Sequence, residues 1–176
     1  MRGTLLALFM SLPWLSGCVT GGGSEFSATP PKTGLAAVYV GRPLTWHTSL
    51  VPLSIEINGQ PLTALAPGSY TRIEVRPGRY SIAAADTYMT KITFGMPRPL
   101  ELSVQAGKVY YVLPISWMEN QRPGMMLAMG KYPVATTEGD RYGSFAVQEK
   151  VPSDPAPTPF AKLSQVAPAA EIAGMQ

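Results

Sequence analysis

The sequence predicts an all-β fold, a small antiparallel β-sandwich of about seven strands. Across residues 35–135, apolar side chains recur at every second position in short runs, the period of a half-buried strand. Gly, Pro and Asn turn signals separate the runs at intervals of about 8–12 residues, the spacing of a sandwich. Charged residues make up only 14% of the chain beside 17 Gly and 18 Pro, which favours strands and turns over surface-charged helices. No convincing helical period occurs in that stretch.

The first run sets Ala36, Val38 and Val40 against Ala37, Tyr39 and Gly41, and Arg42-Pro43 stops it. The second places Leu53, Ile55 and Ile57 on one face and Ser54 and Glu56 on the other. Asn58-Gly59 follows at once, the strongest short hairpin signal, and turns into a return strand from Pro61 to Leu65. Ala66-Pro67-Gly68-Ser69 is a second turn, Pro fixing φ and Gly supplying φ > 0. Tyr70 to Arg76 then alternates Thr71, Ile73 and Val75 with Tyr70, Arg72, Glu74 and Arg76. Arg76-Pro77-Gly78-Arg79 predicts a hairpin into the strand Tyr80 to Ala84.

Leu100, Leu102 and Val104 form the next inward face, and Ala106-Gly107 turns it into Lys108 to Trp117. Val109, Tyr111, Leu113, Ile115 and Trp117 share one side of that strand, where Pro114 predicts a bulge or an edge. Met126 to Ala135 is expected to be the last strand, and Gly139 to Lys150 is ambiguous. Three buried apolar side chains per face contribute roughly 1.5–3 kcal/mol each, enough to hold a two-sheet core.

Four regions are expected. Residues 1–17 read as a signal peptide that is removed: a basic start, the apolar run Leu5 to Leu12 (too short to span a bilayer), then Pro13 and Trp14 before the cleavage zone. Residues 18–34 read as a flexible tether, with Gly21-Gly22-Gly23-Ser24 and Thr29-Pro30-Pro31-Lys32, whose reach is ~20–25 Å. Residues 35–150 are the sandwich domain. Residues 151–176, Pro- and Ala-rich, are expected to be a disordered tail.

Leu15-Ser16-Gly17-Cys18 resembles the bacterial lipobox, with Leu at −3, small residues at −2 and −1, and then Cys. That resemblance implies a diacylglycerol thioether on Cys18, cleavage before it and acylation of the new amine. Two or three acyl chains, at ~0.8 kcal/mol per buried methylene, anchor a protein durably. Val19, rather than Asp, after the cysteine resembles cargo destined for the outer membrane of a Gram-negative envelope. The plainer alternative is a signal peptide or anchor helix that ends near a cysteine.

Five stretches carry a resemblance over the body: Ala37-Val38-Tyr39-Val40-Gly41-Arg42-Pro43, Ile55-Glu56-Ile57-Asn58-Gly59, Leu65-Ala66-Pro67-Gly68-Ser69-Tyr70, Val75-Arg76-Pro77-Gly78-Arg79-Tyr80 and Ala106-Gly107-Lys108-Val109-Tyr110-Tyr111-Val112. In order and spacing they resemble a family of small bacterial lipoproteins catalogued as domain of unknown function 2846. The middle part is also similar to PEGA surface β-sandwich repeats. These are turn and core motifs, so the resemblance implies a fold and brings no activity.

Several functions are disfavoured by composition. The net charge is +3 with basic residues scattered, without the dense patch a nucleic-acid binder needs. One Cys and one His allow neither an internal disulfide nor a cysteine-based zinc site, so no metal or cofactor is expected. His47, beside Trp46, lacks a second ligand and reads better as a solvated loop side chain than as a base. Glu56, Glu74 and Glu101 fall singly on outward strand positions, without the paired spacing of acid/base catalysis.

Met118, Met125, Met126 and Met129 crowd one hairpin. Thioethers can bind Cu(I), but Met126-x-x-Met129 in a strand points to opposite faces, and packing or an adaptable partner groove fits better. Tyr110, on the face opposite Tyr111, joins a candidate tyrosine row with Arg72, Arg76 and Arg79 suited to a peptide or glycan; a solvated sheet face is the blander reading. The candidate partner surface is therefore Trp46, His47, Tyr110, Trp117, Met118, Met125, Met126 and Met129. The expected function is non-catalytic: a membrane-anchored envelope lipoprotein that binds or scaffolds another envelope component, protein or glycan. The alternative is a small-ligand or glycan binder using the Trp46–His47 and Met118–Met129 loops.

Overall fold

The structure, a computed structural model, describes residues 26, 28–43, 52–86, 99–115, 134–135 and 144–168. They form two sheets. The strands are β1 (Ala36–Arg42), β2 (Leu53–Ile57), β3 (Gln60–Leu65), β4 (Ser69–Val75), β5 (Gly78–Asp86), β6 (Leu100–Val104), β7 (Val109–Ile115), β8 (Val134–Ala135), β9 (Ser144–Lys150) and β10 (Ser164–Gln165), with one 3-10 turn, η1 (Thr158–Lys162). The six-stranded sheet runs β10-β4-β1-β7-β9-β8 and the four-stranded sheet β3-β2-β5-β6.

Between the sheets lies the expected core. Val38 and Val40 of β1, Tyr110 and Val112 of β7 and Phe145 of β9 meet Ile55, Ile57, Leu65, Ile82, Leu100 and Leu102 of the smaller sheet. Alternation makes this possible: β2 and β6 bury every second residue and turn the others outward. The β2–β3 hairpin is the one Asn58-Gly59 dictates, with φ of 50° and 73° at its two central residues. Its β3 arm carries Pro61, tolerated on the outer strand of the sheet, and slips register where Ile55 pairs with Thr63 but Glu56 with Pro61.

Three expectations change. Arg76-Pro77-Gly78-Arg79 is not a hairpin turn: β4 pairs with β1 and β5 with β2, so the chain crosses from one sheet to the other. Gly78 is already the first residue of β5, paired with Val104, and takes no positive φ, so the backbone runs on instead of folding back. The sandwich is also not purely antiparallel. β1 pairs with β7 in parallel, Ala37 with Val109 through Val40 with Val112. Pro114 lies past the end of that pairing, which explains a proline in a central strand. Finally, the ambiguous stretch supplies β9, the antiparallel neighbour of β7, while of the expected strand Met126 to Ala135 only Val134–Ala135 falls within the described residues.

One more expectation changes, at the centre of the larger sheet. β1 and β7 are buried at every position, so the six-stranded sheet is covered on both faces. Its outer cover comes from the two segments expected to be flexible. Phe26 and Ala28 of the expected tether, and Ala156, Phe160 and Leu163 of the expected disordered tail, pack on Ala37, Tyr39, Tyr70, Val109, Tyr111 and Leu113. Phe160 is fully buried, and β10 extends the sheet beyond β4 through Ser164 N–H to Gly68 O (2.9 Å) and Val166 N–H to Tyr70 O (2.7 Å). Pro and Ala composition reads as disorder, yet Phe160 in η1 and Leu163 just after it, at i and i+3, seat the segment on a sheet that needs covering.

Candidate functional site

The most elaborate arrangement of side chains sits on that outer face. Tyr39 of β1 and Tyr111 of β7 stack with ring centroids 5.3 Å apart and planes inclined by 18°. Their neighbourhood follows from the parallel register, which pairs the two residues directly. Phe160 meets Tyr111 edge-on at 5.1 Å, and Phe26 meets Tyr70 at 4.9 Å and Tyr39 at 5.3 Å. The two segments touch each other as well, Phe26 and Phe160 lying 5.7 Å apart. Edge-to-face pairs of this kind add about 0.5–1.5 kcal/mol beyond the area they bury.

Beside the rings runs a polar clamp. Arg72 of β4 lies over the Tyr39 ring at 5.7 Å and donates from Nε to the Tyr39 hydroxyl at 3.1 Å. Its Nη2 reaches Glu74 Oε1 at 2.8 Å and the carbonyls of Thr29 and Pro30 at 3.4 Å. Thr29 N–H donates to the Tyr39 hydroxyl (2.9 Å), and Lys32 N–H donates to Glu74 Oε1 (3.1 Å) with its ammonium 3.6 Å from Oε2. Glu74 is therefore not the solvated carboxylate expected from its outward position; it is the receiving end of a clamp on the N-terminal segment.

Electrostatics agree with the geometry. Burial alone would raise the Glu74 pKa, but the hydrogen bonds from Arg72 and from Lys32 N–H outweigh it and leave the carboxyl below its ordinary value. Burial would lower Arg72, and the bonds to Glu74 and Tyr39 instead raise it. The Tyr111 hydroxyl is pushed up to about 12, mainly by burial. A depressed carboxylate stabilises the fold above its unfolded pKa and loses that contribution as pH falls through the lower, folded one. Acidification below the ordinary glutamate value near 4.5 is thus expected to loosen the N-terminal segment first. Protection of the Lys32 amide, relative to its intrinsic exchange rate at each pH, should fall over that window in the wild type, and Glu74→Gln should flatten the pH profile.

Of the sequence-predicted site residues, Tyr110 is the one within the described set, and it is no surface residue. It is 2% exposed, its ring is in the core between the sheets and its hydroxyl accepts from Gln105 N–H at 3.0 Å. The reason is its register: on β7 the side facing the other sheet holds Tyr110 and Val112, and the covered outer face holds Tyr111. Cys18, Trp46, His47, Trp117, Met118, Met125, Met126 and Met129 lie outside the described residues. Arg72 is drawn into the clamp, so the expected row of tyrosines and arginines does not stand open on this face.

What the face can do chemically is limited. Among the described residues no group of three or more His, Cys, Asp and Glu side chains could hold a metal. A hollow of about 10 Å3 opens between Tyr111, Leu113, Ala146, Gln148, Pro157 and Phe160, room for about one water and too small for an organic ligand. The Gln148 Oε1 atom there is buried without a hydrogen-bond partner. The arrangement is thus a docking face filled by two segments of the chain itself, one at Phe26 and Ala28 and one around Phe160.

Phe26, Glu74, Phe160 and Leu163 were missing from the sequence-level site. Their signal was present in the double-sided apolar character of Ala36–Arg42 and Val109–Ile115, which requires a cover on both faces. No curated protein matches the chain. A family model described as "Protein of unknown function (DUF2846)" matches residues 32–123, from the clamp residue Lys32 through β7 and beyond. With more than half of its length matched, the chain belongs to that family.

Proposed function

We propose that this protein is a lipid-anchored component of the bacterial cell envelope, at the outer membrane, whose β-sandwich binds or scaffolds another envelope component without catalysing a reaction. The observation that carries the reading is Leu15-Ser16-Gly17-Cys18 at the end of a basic and apolar leader, with Val19 behind it. It is supported by how the body employs its reactive groups. Arg72, Glu74 and Tyr39 hold a chain segment, Lys108 and Glu149 join β7 to β9 at 3.1 Å, and Tyr110 ties down the turn before it. A membrane tether and a body in which these side chains hold the fold together suit a module that holds position.

The full chain with a C-terminal tag tests this. Wild type should fractionate with membranes and Cys18→Ser should not, and affinity recovery from solubilised envelopes should bring down one stoichiometric protein partner. Cys18→Ser remaining in the membrane fraction would overturn the anchor. Repeated recovery of the protein alone would overturn the scaffold. Co-purifying glycan in place of a protein would shift the reading to the Trp46–His47 and Met118–Met129 loops.

A further inference from the structure

The N-terminal segment is expected from composition to be slack, yet it is folded back on the domain it tethers. Phe26 packs between Tyr39, Tyr70 and Phe160, Thr29 N–H is held by the Tyr39 hydroxyl, and Lys32 N–H by Glu74. The chain then turns at Gly34 (φ 81°) with Leu35 N–H on Lys32 O (3.0 Å) and enters β1. These contacts are few and shallow: Phe26 is half-buried, and Thr29, Pro30, Lys32, Thr33 and Gly34 are exposed. Segments of that kind open at a small fraction of the global unfolding free energy.

We propose that Phe26 and residues 28–34 are a folded-back length of leash whose docking on the aromatic face sets how far the sandwich stands from the bilayer. The proposal rests on the lipid-anchor reading above. Whatever path the residues between them take, the eight steps from Cys18 to Phe26 span at most about 26–29 Å. Undocked back to Leu35, the same leash has seventeen steps and spans at most about 56–61 Å. The reach of a flexible chain scales with the square root of its number of steps, so seventeen steps against eight correspond to roughly 21–25 Å against 14–17 Å, about 1.5-fold. Docking thus keeps the body near the lipid, and a binding event that competes for the face around Tyr39 and Tyr70 lets it out. Because Phe26 also rests on Phe160, the C-terminal segment helps decide which length is in use.

Height above the membrane is the direct readout. The lipidated chain carrying Ser103→Cys, an exposed position on β6, has that thiol alone available for a donor dye, since the Cys18 sulfur is consumed by lipid. Reconstituted in vesicles with acceptor-labelled lipid, wild type should show a short, narrow donor–bilayer distance. Phe26→Ala with Arg72→Met should lengthen the mean reach about 1.5-fold, with exchange protection lost at the Thr29 and Lys32 amides and the melting of the body retained. Nine Gly/Ser residues inserted between Gly21 and Gly22 should give the same increase with those amides still protected. A double variant at wild-type height beside a raised insertion variant would overturn the proposal, as would an insertion that changes nothing. Cys18→Ser still bound to vesicles would instead fail the anchor reading and take the leash with it, and the two amides would then report docking alone.

Discussion

Phe160→Ala is expected to detach the C-terminal segment from the sandwich while leaving both sheets folded. Truncating a fully buried Phe costs about 3–5 kcal/mol where the structure cannot collapse around it. The segment's main apolar anchors are Phe160 at 0% and Leu163 at 4% exposure, contributing about 1.5–3 kcal/mol each, with Pro157 buried beside them. Removing the first therefore takes about as much free energy as the whole segment gains by docking. The cheapest response is to let go, and the global loss is capped at the docking energy. Exchange protection at the Ser164 and Val166 amides should vanish, and protease cutting should appear near residues 157–166. Amides of β2 and β5 should keep their protection. Ile55→Ala is the contrast: Ile55 is fully buried between the sheets, and its loss of about 2–5 kcal/mol should lower protection everywhere together. Global unfolding of Phe160→Ala at the same midpoint as Ile55→Ala would show that the segment is not a separate unit.

The strands and their turns were legible because local chemistry decides them. Leu53, Ile55 and Ile57 can alternate only one way, and Asn58-Gly59 supplies two positive φ angles that few other pairs adopt. Which sheet a strand joins was not legible. Pro77-Gly78 and Pro67-Gly68 read alike, but Gly68 takes φ of 76° and Gly78 does not, and both connections cross between sheets. Turn residues fix a few dihedral angles; the pairing partner is fixed by what the whole core buries, a non-local matter.

The site failed for a related reason. Glu74 and Arg72 were assigned to solvent or to a partner because alternation tells only which side of a strand a residue occupies. Whether that side is wet depends on Phe26 and Phe160, which stand 48 and more residues away in sequence from Glu74 and lie in segments whose composition reads as disorder. Length matters here too: the family match ends at residue 123, so the landing face formed by Tyr39, Tyr70 and Tyr111 lies within it and Phe160 lies beyond it.

Gly41→Ala is the sharpest probe of that landing face, because the sign of its effect depends on whether the segment is there. Gly41 is on β1 at an ordinary strand φ, so alanine is conformationally free to replace it. A Cβ at this position would stand 2.7 Å from Phe160 Cε1 and 2.8 Å from Leu163 Cδ1, well inside contact distance. Overpacking of this kind costs about 1–3 kcal/mol, and here the strain falls on the two anchors of the C-terminal segment rather than on the sheet. In the wild-type background, Gly41→Ala should therefore lower stability by that amount and raise exchange at Ser164 and Val166. In the Phe160→Ala background the segment is already off, and the clash goes with it. What remains is the relief of a strand glycine, worth roughly 0.5–1 kcal/mol in favour of alanine. The second substitution should then be neutral or stabilising, and a double-mutant cycle should show a coupling of about 1–3 kcal/mol between positions 41 and 160. Additive costs in that cycle would mean that Phe160 does not rest on Gly41, and the cover assigned to the six-stranded sheet would have to be found elsewhere.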